Sequence, residues 1–321
     1  MLLASVAIII GLVLLVWSAD KFVDGSVGLA ENWGMSKVMI GLTIVSLGTS
    51  APEIFVSAIA ALSGSPELAL GNAIGSNIAN IGLVLGVTAL IAALPVKKGL
   101  LKQDLPALLA VTAIVAFLLQ DLVLGRNEGF ALIGMLLILM YLLFRYKKEH
   151  PEDLSLEEED IPDFEMKSSV IAFAIGLVLL IISSRLLVWG AIEVATAFGV
   201  SSIIIGLTIV AIGTSLPELA ASVASALRNH HDIALGNIIG SNILNLLAVL
   251  SLAATISPIG ISSDIFYRDV GSMVAITFLL AMFIIIPRKV KSLARWEGIT
   301  LLAGYAAYMT LLYLDAVPAH A

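Results

Sequence analysis

Apolar residues run through this chain in long blocks separated by short polar breaks, and strict alternation of polar and apolar positions is absent. The blocks lie near residues 2–28, 37–62, 67–93, 104–120, 127–145, 168–197, 202–227, 232–256, 266–286 and 296–314. Most are long enough for a tilted helix across a hydrocarbon core of about 30 Å. The lack of alternation argues against a transmembrane β-barrel. The pattern therefore predicts an all-α polytopic membrane protein with ten transmembrane helices. Composition agrees, with 60% hydrophobic and only 13% charged residues over 321 positions, far from the soluble range. The first block has no basic residue before Lys21 and reads as a retained helix rather than a secretory signal.

Within this apolar background one polar element occurs twice. Gly41-Leu42-Thr43-Ile44-Val45 through Gly48-Thr49-Ser50-Ala51-Pro52-Glu53 returns as Gly206-Leu207-Thr208-Ile209-Val210 through Gly213-Thr214-Ser215-Leu216-Pro217-Glu218, displaced by 165 residues (218 minus 53). The register continues into Gly71-Asn72 through Gly75-Ser76-Asn77 and Asn80, matched by Gly236-Asn237 through Gly240-Ser241-Asn242 and Asn245. It also reaches back to Gly11 with Gly176, Gly25 with Gly190, Gly34 with Gly199 and Ser36 with Ser201. The duplicated unit is thus a whole bundle, divided as residues 1–148, a linker 149–167, and residues 168–321.

Five spans per half is an odd number, so the second half is expected to enter the membrane inverted. On a ten-span layout Lys37, Lys97, Lys98, Lys102, Arg145, Lys167, Arg228, Arg288 and Arg295 crowd one face, leaving Arg126 and Arg268 opposite. The positive-inside rule makes the crowded face cytoplasmic and both termini external. The linker holds Glu152, Asp153, Glu157, Glu158, Glu159, Asp160, Asp163 and Glu165 and reads as a solvated cytoplasmic connector. Asp20, Lys21, Asp24, Arg185 and Glu193 lie at or near helix boundaries, where snorkelling or local pairing accounts for them.

Each Pro-Glu element predicts a kink or break, because proline removes a backbone donor and clashes with the turn before it. Carbonyls freed around Ser46–Gly48 become ligands if they line a cavity. Ser46, Thr49, Ser50 and Glu53 fall at i, i+3, i+4 and i+7 and share one face, as do Ala211, Thr214, Ser215 and Glu218. At Ala211 only the backbone carbonyl is available. Asn72, Ser76 and Asn80 form a stripe at i, i+4 and i+8, and so do Asn237, Ser241 and Asn245. Asn77 and Asn242 project elsewhere and are expected to hydrogen-bond the broken helices. Thr43, Thr208, Ser57 and Ser222 read as packing or back-bonding residues. Taken alone, Gly-Thr-Ser or Gly-Ser-Asn serves helix packing. Glu53 and Glu218 change that reading, because a carboxylate at membrane depth costs several kcal/mol and marks a functional site.

Two carboxylates with many neutral oxygens suit hard cations such as Na⁺ and Ca²⁺, whereas Zn²⁺ or Cu⁺ favour nitrogen or sulfur. There is no cysteine, and His150, His230, His231 and His320 fall in predicted loops or the tail. No His, Cys or Lys lies near the paired glutamates to form a nucleophile–base set, so the chain is not expected to be an enzyme. A cation channel is disfavoured by the twofold repeat and the lack of a filter-like loop.

The paired Gly-Thr-Ser-x-Pro-Glu and Gly-Asn-x-x-Gly-Ser-Asn-x-x-Asn elements resemble the two α-repeats of the cation/Ca²⁺ exchanger superfamily, and the compact layout looks like its prokaryotic Na⁺/Ca²⁺ exchangers. The resemblance covers essentially the whole chain. It implies two inverted five-helix repeats, an ion-binding core from spans two, three, seven and eight, and sliding of the long first and sixth spans. The implied ligands are Thr49, Ser50, Glu53, Ser76 and Asn80, then Thr214, Ser215, Glu218, Ser241 and Asn245, with backbone oxygens from Ser46 and Ala211. Na⁺ and Ca²⁺ are then the transported substrates, with no cofactor, no nucleic acid, the bilayer as surroundings, and no obligate protein partner. Several family members carry aspartate where this chain has Asn245, which leads to the expectation of K⁺-independent exchange. A Ca²⁺/H⁺ antiporter using the same glutamates is the alternative.

Overall fold

The computed structural model describes residues 1–35, 37–149, 165–199, 211–286 and 292–316. Most of the acidic linker, Thr208, Ser36 and Ser201 therefore lie outside the described residues. The described helices are α1 (Leu2–Asn32), α2 (Lys37–Thr49), α3 (Ala51–Leu62), α4 (Pro66–Ile91), α5 (Leu100–Asp121) and α6 (Arg126–Glu149). After the linker come α7 (Met166–Ala197), α8 (Ala211–Thr214), α9 (Leu216–Leu227), α10 (His231–Ile256), α11 (Ser263–Ile285) and α12 (Arg295–Ala316). Seven of them are long and apolar enough to cross a membrane, or eight when α2 and α3 count as one span bent by 45°. The chain is an all-helical, multi-pass membrane protein.

That bend falls at Ser50, the residue before Ala51-Pro52, where the local sequence calls for it. Ser215 holds the same place before Leu216-Pro217. Further π turns, unanticipated from the sequence, occupy Gly41–Val45, Asn80–Leu85 and Asn245–Val249. A π turn lengthens the hydrogen-bonded ring by a residue and commonly sits at functional sites.

Burial separates two layers. In α4 and α10, 72% and 94% of the most apolar stretch is inside the protein, against 33% in α1 and 22% in α7. The helices carrying the Asn-Ser stripes are therefore central, as polar residues in a bilayer require. On α1, Leu2, Leu3, Val6, Ile9, Ile10 and Val13 are exposed, as befits a lipid-facing surface.

The α1–α7 pair is antiparallel and closes through glycine. A Cβ added at Gly11 would lie 3.0 Å from the Leu187 backbone nitrogen, and one at Gly190 would lie 2.8 Å from the Ala4 carbonyl. Gly25 presses on the Phe173 backbone and Gly176 on that of Phe22. The two rings, Phe22 and Phe173, sit 5.0 Å apart. Small residues at such crossings let helix backbones approach without a hydrophobic drive from water.

The helix ends are interlocked. Leu94 pairs with Leu293 and Val123 with Gly260 in two short antiparallel ladders. Gly298 of α12 packs on Gly86 of α4, while Gly129 of α6 packs on Ser251 of α10. Glu128 accepts from the Gly125 amide at 2.6 Å and Glu297 from the Ala294 amide at 2.6 Å, capping α6 and α12.

Boundary charges pair over longer range than expected. Lys21 meets Asp24 locally at 3.7 Å, but Arg228, after α9, reaches both Asp20 and Asp24 on α1. His230 contacts Lys37 at 3.3 Å, and His231 opens α10 rather than lying in a loop.

Candidate cation site

The site forms where α2 and α3 meet α9 and α10. Added Cβ atoms at Gly236 and Gly240 would meet the Val38 carbonyl at 2.8 Å and the Leu42 carbonyl at 2.5 Å, so α2 lies directly against the α10 backbone. Gly41 faces the Ile233 carbonyl at 2.8 Å in the same seam. This contact sets Thr49 beside the α10 stripe.

Thr49 Oγ1 donates to Asn237 Oδ1 at 3.1 Å and lies 3.5 Å from Ser241 Oγ. Ser50 Oγ donates to Glu218 Oε1 at 3.1 Å. The two polar elements, far apart in sequence, therefore share one site. Glu53 and Glu218 are each 1% exposed. Each stands in the first turn of its helix, after the bend, where the positive end of the helix dipole favours an anion.

Thr49, Ser50, Ser76, Asn80, Ser215, Ser241 and Asn245 are buried as well. Among the described residues, both Glu53 carboxylate oxygens, Glu218 Oε2, Ser215 Oγ and both side-chain polar atoms of Asn80 and Asn245 have no hydrogen-bond partner. Buried polar groups are costly unless satisfied. Oxygens of this kind, with two negative charges, fit a hard cation as substrate. Asn80 and Asn245 each open a π turn. The Ser46 side chain is occupied by Leu42 and Thr43 carbonyls at 2.7 and 3.1 Å, leaving its own carbonyl as the relevant group. Contrary to the expectation of a freed carbonyl, it accepts the Ser50 amide at 2.9 Å, because the helical turn continues to Ser50 and breaks only after it. Ala211 and Thr214 lie in α8.

A second tier departs from the sequence reading. Asn72 Nδ2 donates to the Glu53 carbonyl at 3.3 Å and to Ser57 Oγ at 3.0 Å. Asn237 Nδ2 donates to Ser222 Oγ at 3.1 Å. Ser57 and Ser222 thus brace asparagines instead of bonding back to their own helices, whereas Thr43 does bond back, to Met39 at 2.6 Å. Asn77 bonds its own helix at Ala73, 2.8 Å away, and not the broken one, because the i−4 carbonyl is the nearest acceptor to a side chain turned from the seam. A cavity of about 260 Å³ between α7 and the bends reaches Thr214 and includes Arg185, Pro52 and Pro217.

Comparison with known proteins gives a consistent picture. The family model described as sodium/calcium exchanger protein matches residues 3–146 and 168–314. The inner membrane protein YrbG of Escherichia coli is 37% identical, over 98% of this chain and 98% of its own length. The sodium/calcium exchanger MaX1 of Methanosarcina acetivorans is 30% identical over 95% and 97%. The Ca²⁺/H⁺ antiporter ChaA of Bacillus subtilis is 28% identical over 83% and 80%. A solved structure of the sodium-calcium exchanger NCX_Mj, soaked with Na⁺ and Sr²⁺, superposes with a TM-score of 0.82 at 33% identity, covering 96% of this chain and 98% of that one. With both halves matched by the family model and relatives aligned end to end, the chain belongs to the sodium/calcium exchanger protein family.

Proposed function

We propose that the chain is a secondary active antiporter that exchanges Na⁺ for Ca²⁺ by alternating access. The observation that carries this reading is the pair Glu53 and Glu218, each buried in the first turn of its helix, with Ser50 of the first element donating to Glu218 of the second. The ligands are Thr49, Ser50, Glu53, Ser76, Asn80, Thr214, Ser215, Glu218, Ser241 and Asn245, with the Ser46 and Ala211 carbonyls. Two carboxylates neutralise one Ca²⁺ or are shared among several Na⁺, so either load compensates the same charge. Without a load the doubly anionic site resists occlusion, since an uncompensated buried charge is costly. Occupancy therefore permits α1 and α7 to slide across the core, and flux of one ion is tied to counterflux of the other.

This mechanism rests on two inverted five-span halves, residues 1–148 and 168–321, following the ten apolar blocks of the sequence. The α1–α7 contacts support it. Gly11 opposite Leu187 and Gly176 opposite Phe22 are the same relation moved by 165 residues (176 minus 11, 187 minus 22), and Gly25 opposite Phe173 mirrors Gly190 opposite Ile8. The capping pairs Gly125–Glu128 and Ala294–Glu297 recur at 169 (294 minus 125), as expected after a short insertion. Both termini are external and the acidic linker cytoplasmic, on the lysine and arginine distribution. Exchange is K⁺-independent, because positions 80 and 245 are amides.

A Ca²⁺/H⁺ antiport reading is favoured by the relationship to ChaA and by the carboxylate pair, whose groups can also bind protons. One experiment separates the two. Proteoliposomes loaded with Na⁺ are diluted into Na⁺-free buffer containing radiolabelled Ca²⁺, with equal-Na⁺ and ΔpH-only controls. Uptake only with the outward Na⁺ gradient supports Na⁺/Ca²⁺ exchange. Uptake driven by ΔpH alone moves the function to proton coupling.

A further inference from the structure

Thr49 has more than one acceptor within reach for its single hydroxyl proton. Asn237 Oδ1 is at 3.1 Å, the Ser46 carbonyl at 3.4 Å and Ser241 Oγ at 3.5 Å. The choice matters chemically. A hydroxyl that ligates a cation must turn its lone pairs to the ion and its proton away. A proton directed at the Ser46 carbonyl would occupy an oxygen that the ion itself requires.

The Asn237 amide is held in the orientation that resolves this competition. Its Nδ2 donates to Ser222 Oγ at 3.1 Å, which leaves Oδ1 facing Thr49. Flipped, it would present a donor, and Thr49 would give up a lone pair to it. Asn237 and Ser222 are both buried, 1% and 0% exposed, so no solvent relieves a wrong orientation. Asn72, at the equivalent place 165 residues earlier (237 minus 72), has its Nδ2 on Ser57 at 3.0 Å, so the same orientation occurs twice. Ser222 lies one helical turn beyond Glu218 on α9, which ties this arrangement to the helix of the carboxylate.

We propose that Asn237 is a positioning residue for cation binding. Its amide oxygen takes the Thr49 proton, leaving Thr49 Oγ1 and the Ser46 carbonyl to the ion, while its amide nitrogen braces α10 against α9 through Ser222. The inference rests on the ligand role given to Thr49 above, and on nothing in the ion's identity.

The test is a double-mutant cycle between Asn237→Leu and Thr49→Val, read as half-saturating Ca²⁺ and as maximal rate in gradient-driven uptake. Asn237→Leu should raise half-saturating Ca²⁺ about fivefold, the scale of one lost hydrogen bond, with the maximal rate changed less than about twofold. In the Thr49→Val background it should add nothing. Thr49→Val without effect would remove the ligand role and the proposal with it. A shift for Thr49→Val but none for Asn237→Leu, or full multiplication in the double variant, would leave the ligand role standing and overturn the positioning role. Should Asn237→Leu fail to fold, Ser222→Ala removes the brace alone. It is expected to raise half-saturating Ca²⁺ about twofold, again only when Thr49 is present, and an unchanged value would overturn the proposal.

Discussion

The Ser50 hydroxyl donates to the Glu218 carboxylate at 3.1 Å, joining the bend between α2 and α3 to the first turn of α9. Ser50 precedes Pro52 and Glu218 follows Pro217, so the bend at Ser50 and the helix break at Ser215 meet at one shared site. Ser50→Ala should weaken Ca²⁺ binding by removing a ligand oxygen, while also freeing Glu218. A rise in half-saturating Ca²⁺ of about three- to tenfold, measured in proteoliposomes, is expected.

Neutralising either carboxylate should have a larger effect. Glu53→Gln or Glu218→Gln leaves the volume unchanged and removes half the compensating charge, at a cost on the order of 3 kcal/mol, or about 100-fold in binding. Exchange should disappear while the protein still elutes as a monodisperse species in detergent. Full Ca²⁺ transport by both variants would refute the assignment.

Acid should oppose Ca²⁺. A proton on Glu53 or Glu218 must leave before the carboxylate can bind an ion, so half-saturating Ca²⁺ rises as pH falls, by up to about tenfold per pH unit for each proton displaced. Equilibrium Ca²⁺ binding between neutral and mildly acidic buffer reads this directly, and a flat profile would contradict it.

Potassium should have no effect on the native chain. Asn80 and Asn245 supply neutral oxygens, so Ca²⁺ uptake at a constant Na⁺ gradient is expected to be the same with K⁺ or choline outside. Stimulation by K⁺ would refute K⁺ independence.

The glycine crossing of α1 and α7 should tolerate no bulk. At Gly176 an added Cβ would run into the Phe22 backbone, so Gly176→Val should cost about 1–3 kcal/mol through overpacking. A lower thermal midpoint in detergent, with reduced uptake, is the expected pair of observations.

Much of this was legible in the sequence because membrane burial leaves few options. A block of apolar residues in lipid must be helical to satisfy its backbone, and a Pro-Glu step inside such a block has to bend and to have a function. Hence the bend at Ser50 and the burial of Glu53 and Glu218 could be read from residues 37–62 and their copy. What remained hidden was decided by contact between distant segments. Ser57 and Ser222 are ordinary helix serines in sequence, and only the placement of Asn72 and Asn237 makes them braces. The π turns beginning at Asn80 and Asn245 leave no mark in the hydrophobic pattern, since one extra residue in a turn changes no residue type. Arg228 reaches α1 because folding puts the end of α9 beside Asp20 and Asp24, a proximity no local spacing encodes. The sequence by itself determined which groups are polar inside the membrane. The tertiary structure decided which of them face each other, because hydrogen bonding is directional and short-ranged while hydrophobic partition depends on residue type alone.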